Sequence, residues 1–233
     1  MNTILQLAID KTRQILDNAQ VEQSHGFGHA LQVLAHAEKM LSSHCPTLDP
    51  EKALSVQLAA LLHDVDDRKL FPQNKQYENA HAVLHEIGFR HENVIQMIKL
   101  VSTSANGNAI DASYDHWMLY PRFADRLEAI GQVGVERCLA YTLHLKRPLY
   151  LSTTSRAESE EELWQIATPE RFANYLRVKG SESFIDHFYD KLLHIGTLEA
   201  MGHPTNPYLI EEATKRHLYM VQYILDFGRS GKI

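Results

Sequence analysis

The sequence predicts an all-α protein, an assembly of roughly nine or ten helices. Three observations carry this. Apolar residues recur at three- and four-residue spacing along most of the 233-residue chain, which is the period of one helix face. Asp49-Pro50-Glu51 and Thr168-Pro169-Glu170 each set a capping side chain, a proline and an acid in succession. That order gives a helix N-terminus an acceptor, a fixed φ and a negative charge. No segment alternates apolar and polar residues convincingly enough for a strand.

In chain order, Ile4, Leu5, Ala8, Ile9, Thr12, Ile15 and Leu16 mark an opening amphipathic helix. The turn Ser24-His25-Gly26-Phe27-Gly28-His29 leads into a second, with Phe27, Ala30, Leu31, Leu34, Ala37 and Leu41 on its apolar face. The third starts at the Asp49 cap and carries Ala53, Leu54, Val56, Leu58, Ala59, Ala60, Leu61 and Leu62. It is apolar nearly all round, so it is expected to be the most buried helix. Asp66-Asp67-Arg68-Lys69 is expected to leave the core. A helix over Asn79–Ile87 stops at Gly88, and Val94, Ile95, Met97, Ile98 and Val101 outline another. Residues 102–108 read as a polar loop. Pro121 begins a helix with Phe123, Leu127 and Ile130 on one side, Gly131 ends it, and residues 133–145 form the next. Residues 152–162 read as an exposed acidic loop. Ser181-Glu182 is expected to cap a helix through Phe184, Phe188 and Leu192. Asn206-Pro207 opens the last, with Leu218, Val221, Ile224, Leu225 and Phe227 toward the core.

Composition narrows the function classes. Hydrophobic residues make up 44% of the chain, enough for a core, and the net charge of −6 disfavours a general nucleic-acid or membrane-surface binder. Cys45 and Cys138 form no Cys-x-x-Cys pair, which disfavours thiolate zinc and disulfide scaffolds. The first residues lack the basic and long apolar regions of a secretory signal, and no apolar run reaches a spanning length. The expectation is a cytoplasmic protein with no nucleic-acid or membrane partner, and homo-oligomerisation left open.

Chemistry concentrates in Ala59-Ala60-Leu61-Leu62-His63-Asp64-Val65-Asp66-Asp67, where an apolar helix delivers a histidine and three acids within five residues. Carboxylates at the end of a buried helix cost several kcal/mol each unless a positive group meets them. A lone His-Asp pair is also an ordinary helix end, where histidine meets the dipole. His29 and Asp125 raise its weight, because each lies on a helix next to apolar residues. Two imidazoles and two carboxylates suit one divalent ion, Mn, Mg, Fe, Co, Ni or Zn. Four ligands leave positions open for water and a substrate oxygen.

His29, then His63-Asp64, then Asp125 within Phe123-Ala124-Asp125-Arg126-Leu127-Glu128-Ala129-Ile130-Gly131 resembles the HD-domain metal-dependent phosphohydrolases. The strings His25-Gly26-Phe27-Gly28-His29, Ala60-Leu61-Leu62-His63-Asp64-Val65 and Ala124–Val135, with Arg216-His217, resemble the small bacterial enzymes of the YpgQ and YedJ type. The resemblance implies one HD-type helical domain over 1–233, its core at about 20–145 and helices 160–228 packed on it. It implies metal ligation by His29, His63, Asp64 and Asp125, with Mn or Mg favoured for activity. Asp67 becomes the acid/base candidate beside Asp64, against a solvated helix-end acid. Lys69 and Arg126 become phosphate contacts, against structural ion pairs; Lys146, Arg147, Lys191 and Arg216 are weaker candidates. His25, His81 and His85 are weighed as substrate groups, with surface or core roles favoured. The implied reaction takes a (deoxy)nucleoside triphosphate to the monophosphate plus pyrophosphate. Alternatives are a monophosphate or cyclic-nucleotide phosphohydrolase, and a non-catalytic metal-stabilised nucleotide-binding module. Two features depart from the pattern: Lys99-Leu100-Val101-Ser102-Thr103-Ser104 lacks a histidine, and the acidic stretch after Leu151 is unusual.

Overall fold

In the computed structural model, residues 3–21, 26–44, 46–89, 92–107, 115–202 and 204–233 are described, and among them eleven helices and no strands form. The chain divides into two compact units.

The first unit comprises Met1–Asn106, Asp111–Asp125 and Asn206–Tyr208. Its helices are α1 (Thr3–Asn18), α2 (Phe27–Ser42), α3 (Pro50–Leu62), α4 (Glu78–Glu86) and α5 (Glu92–Val101). The apolar α3 packs against α1, α2 and α5, and everything from Leu58 to Leu62 is buried. Asp49 caps it by accepting from Glu51 N at 3.0 Å and Lys52 N at 3.1 Å. Gly88 closes α4 with φ at +69°, a conformation cheap only for glycine, and Phe89 N then donates back to Leu84 O. The face of α2 is rotated from expectation: Val33 and Met40 are buried, while Leu31 and Leu41 are half-buried. The expected loop after α5 contains one helical turn, Thr103–Asn106. Asn106 Nδ2 there donates to Lys99 O at 3.0 Å and Ser102 O at 2.9 Å, supplying donors to a carbonyl end that would otherwise lack them.

Asp66 departs from expectation. It does not leave the core but is 7% exposed. Its carboxylate accepts from Asn79 N at 3.0 Å, Ala80 N at 2.8 Å and the Asn74 amide. An acid with three such donors caps the N-terminus of α4 and fastens that helix to the end of α3.

The second unit comprises Gly107–Ile110, Arg126–Thr205 and Leu209–Ile233. Its helices include Gly131–His144, Glu160–Ile166 and Pro169–Val178. A helical stretch follows over Phe184–His187, Phe188–Leu192 and Leu193–Ile195, widened to π geometry in its middle turn. Most of the long helix Pro207–Ser230 also belongs here. Phe184 and Phe188, both buried, and the half-buried Tyr223 stack or meet edge to face as one aromatic group. The Thr168 cap forms as expected. The 184 helix, however, is capped by Ser183, whose Oγ accepts from Asp186 N at 3.1 Å, not by the Ser181-Glu182 pair.

Residues 152–162 are not all exposed: Thr154 and Ala157 are buried, and Glu160, Glu161 and Glu162 form the first turn of a helix capped by Ser159. Acids are favoured there by the helix dipole. Leu218, expected in the core, is 58% exposed, whereas Val221, Ile224, Leu225 and Phe227 are buried. Gly131 opens its helix with φ at +70°, two residues before the expected start. A Cβ there would come within 2.7 Å of Arg216 Cγ.

Candidate metal centre

The first unit positions two histidines and two acids from three stretches of chain. His29 stands in the first turn of α2, His63 and Asp64 directly follow α3, and Asp125 lies within the helix Tyr120–Ala129. His29 Nε2 is 3.3 Å from Asp125 Oδ1 and 3.8 Å from Asp64 Oδ2. His63 Nε2 is 3.4 Å from Asp64 Oδ2 and 3.7 Å from Asp125 Oδ1. Donor atoms of His29, His63 and Asp125 all lie within 4.8 Å of one another. The two imidazoles meet edge to face, their centroids 5.2 Å apart. His29, His63 and Asp64 are buried, and Asp125 is half-buried.

The hydrogen bonding of His63 fits a cation. Its Nδ1 lies 2.9 Å from Ala60 O, and a carbonyl can only accept, so Nδ1 carries the hydrogen. In the neutral ring, Nε2 then presents a lone pair toward the carboxylates. A backbone-held Nδ1–H with Nε2 directed into a site is the usual arrangement of a ligating histidine. Burial alone would lower the pKa of His63. The Asp64 carboxylate, then Asp125 and the Ala60 carbonyl, outweigh it and raise the value to about 9. Burial alone would raise Asp125. The hydrogen bond and charge of His29, together with the charge of His63, pull it down to about 2. Asp125 is thus held ionised against positive charge, which a proton on imidazole supplies here and which a divalent ion could equally supply.

The remaining sequence-selected residues fall in different settings. Asp67 follows one turn later and is half-buried; its Oδ1 accepts from Lys69 N at 2.7 Å. Lys69 is exposed. Arg126, in the second unit, is 1% exposed and donates from Nη1 to Ala200 O at 2.6 Å and from Nη2 to Gly107 O at 3.0 Å. Arg216 donates to Leu127 O at 2.6 Å and pairs with Glu128 and Glu212. Lys191 lies over the Tyr175 ring, and Lys146 and Arg147 are exposed. His81 and His85 are exposed on α4, and His25 lies outside the described residues.

Sequence reasoning missed Arg122, one turn before Asp125. It is 1% exposed, and its Nη1 donates to Leu100 O at 2.7 Å and Val101 O at 3.3 Å. The available signal was an arginine set between Pro121 and Phe123, in a turn otherwise reading as apolar.

No protein-family model matches the chain. The protein L803 of Acanthamoeba polyphaga mimivirus, described only as uncharacterized, is 40% identical over 92% of each chain. Among solved structures, a Lactobacillus plantarum protein superposes with a TM-score of 0.68 at 20% identity, over 99% of this chain and 98% of its own. An HD-superfamily hydrolase of Bacillus thuringiensis gives 0.64 at 24% identity, over 96% and 94%. Bacillus subtilis YpgQ in complex with ADP gives 0.60 at 21% identity, over 96% of each. Among the described residues, no helix is long and apolar enough to cross a membrane.

Proposed function

The chain belongs to the same family as the mimivirus protein L803 and has the all-helical fold of the HD-superfamily hydrolases, and from that premise we propose that it is a divalent-metal-dependent phosphohydrolase acting on nucleotides. The observation that carries this reading is the convergence of two buried imidazole nitrogens on two carboxylates, at 3.3–3.8 Å, beside an apolar helix end. His29, His63, Asp64 and Asp125 would hold the ion. When bound, a divalent ion supplies Lewis acidity toward a phosphoryl oxygen and acidifies a neighbouring water.

The chain's own groups do the rest. Asp67 follows Asp64 by one turn, and its Oδ1 is tied to Lys69 N. That fixes the carboxylate's orientation, and we assign it the proton of the attacking water or of the leaving oxygen. Lys69, exposed beside it, supplies a point charge to phosphate oxygens. Arg126 commits two of its N–H groups to backbone carbonyls, so we assign it to holding that backbone and not to a phosphate.

The ADP complex of YpgQ supports a nucleotide ligand here. The finer proposal is cleavage of a (deoxy)nucleoside triphosphate to monophosphate and pyrophosphate. The test is a nucleotide panel with Mn or Mg, comparing the native chain with Asp64→Ala and Asp125→Ala. Pyrophosphate release by the native chain, lost in both variants, is the expected result. Turnover retained in both variants would overturn the chemistry. Metal binding with every nucleotide left intact would instead favour a non-catalytic metal-stabilised module.

A further inference from the structure

The helix that carries Asp125 also carries a charge that the proposed chemistry does not use. Arg122 is 1% exposed, and a buried guanidinium is costly unless its N–H groups and its charge are met. The Nη1 end and the charge are met locally. Leu100 O and Val101 O, which take its Nη1 at 2.7 and 3.3 Å, belong to the last turn of α5. Carbonyls there lack intrahelical donors and collect the negative end of the helix dipole. Asn106 Nδ2 also reaches Leu100 O, at 3.4 Å, so two side chains close that end. Asp125 follows Arg122 by three residues, which places the two on one face of their helix. Its carboxylate favours the guanidinium charge, although burial, the larger influence, still brings Arg122 down to about 10.

We propose that Arg122 is a positioning residue for Asp125. It pins the turn bearing that carboxylate to the carbonyl end of α5, and thereby sets how tightly the centre holds a divalent ion. The inference rests on the metal reading above and adds a residue outside the four ligands. Its physical content is a contest between two effects. Pinning orients the Asp125 oxygen toward His29 and His63, which favours the ion. A fixed positive charge near a cation site disfavours it. Nη1 alone bridges the two carbonyls, and this anchoring of the turn makes the geometric effect the larger one here, because methionine has no donor to bridge them and a lysine ammonium lacks the rigid planar placement of that nitrogen.

The test titrates Mn2+ by calorimetry and electron paramagnetic resonance into the native chain, Arg122→Lys, Arg122→Gln and Arg122→Met. Circular dichroism and metal-free melting check each fold. Removing a residue that supports a ligand typically costs about 10- to 100-fold in metal affinity. A loss in that range is expected for Arg122→Met and Arg122→Gln, with a smaller loss and partial recovery of the Mn2+ spectrum for Arg122→Lys. Unchanged Mn2+ affinity in the variants that fold, even with lower melting temperatures, would leave Arg122 a purely structural residue and overturn the proposal. Tighter binding in Arg122→Met beside native binding in Arg122→Lys would overturn it as well, since charge repulsion would then be the whole effect. If Arg122→Met fails to fold, the lysine and glutamine variants decide. Failure of the native chain to bind Mn2+ at all is a different result and counts against the metal reading itself.

Discussion

His63 and His187 occupy opposite electrostatic settings, one in each unit. His63 faces Asp64 and Asp125 and is raised to about 9. His187, half-buried among helices of the second unit, is lowered to about 3 by burial, with Lys191 and Arg147 acting in the same direction. The acids nearby differ in the same way. In the second unit Asp186 takes Thr154 Oγ1 at 3.0 Å, Ser183 Oγ at 2.6 Å and Arg171 Nη2 at 3.0 Å. Asp190 takes Arg171 Nε at 2.6 Å. That cluster carries its own cation and its own donors. In the first unit, the carboxylates of Asp64 and Asp125 face imidazoles, whose charge depends on a bound proton. Buried acids alone therefore do not mark a metal site. Acids whose balancing charge is exchangeable are the ones that could hold an ion.

The largest effect that could break this contrast is at the first cluster. Asp64→Ala and Asp125→Ala are each expected to lower nucleotide turnover by about a thousandfold or more, the scale on which loss of Lewis-acid assistance acts. Phosphate or pyrophosphate release checks it. Next, Arg171→Met should cost about 3 kcal/mol of stability, because it strips the cation from one buried and one half-buried carboxylate. Urea unfolding reads that loss, and calorimetry should find Mn2+ affinity as in the native chain. A parallel fall in affinity would erase the distinction between the clusters. Slightly smaller is metal linkage. Mn2+ at a hundred times its dissociation constant should stabilise the native chain by about 2.7 kcal/mol, chelator should remove the gain, and Asp125→Ala should show little of it.

The smallest effect sharpens the histidine comparison. The folded-state pKa of His187 lies below its unfolded value, so acid protonates the unfolded chain first. Its contribution is therefore complete above about pH 6.5 and is lost as pH falls toward about 3. The limiting slope is about 1.4 kcal/mol per pH unit, and partial exposure of the ring reduces it. His187→Leu should show a shallower loss of stability between pH 6 and 4 than the native chain, by up to about 1 kcal/mol per unit. Equal slopes would show that His187 is charged in the folded protein.

How far the fold was legible depended on how local its causes are. The Asp49 cap, the all-round apolar α3 and the Gly88 stop involve partners within a few residues, and each forms as expected. Leu218 read as a core residue because it lies near the apolar positions of a long helix, but how its neighbours cover that helix decided its exposure. Asp66 read as an acid leaving the core, because its donors at Asn74, Asn79 and Ala80 arrive from the following loop and helix. Arg122 was passed over for the same reason, its acceptors lying more than twenty residues earlier.

The sequence by itself determined the helical class, the sites of several helix starts and stops, and the candidate ligands His29, His63, Asp64 and Asp125. Periodicity, caps and residue chemistry are properties of short stretches of chain, so they survive without coordinates. Tertiary structure alone decided which acids share a site with imidazole and which are closed off by arginine, hydroxyl or backbone donors. Charge balance in a low-dielectric interior is set by distances of 3–4 Å between groups far apart in the chain, and folding alone creates those distances.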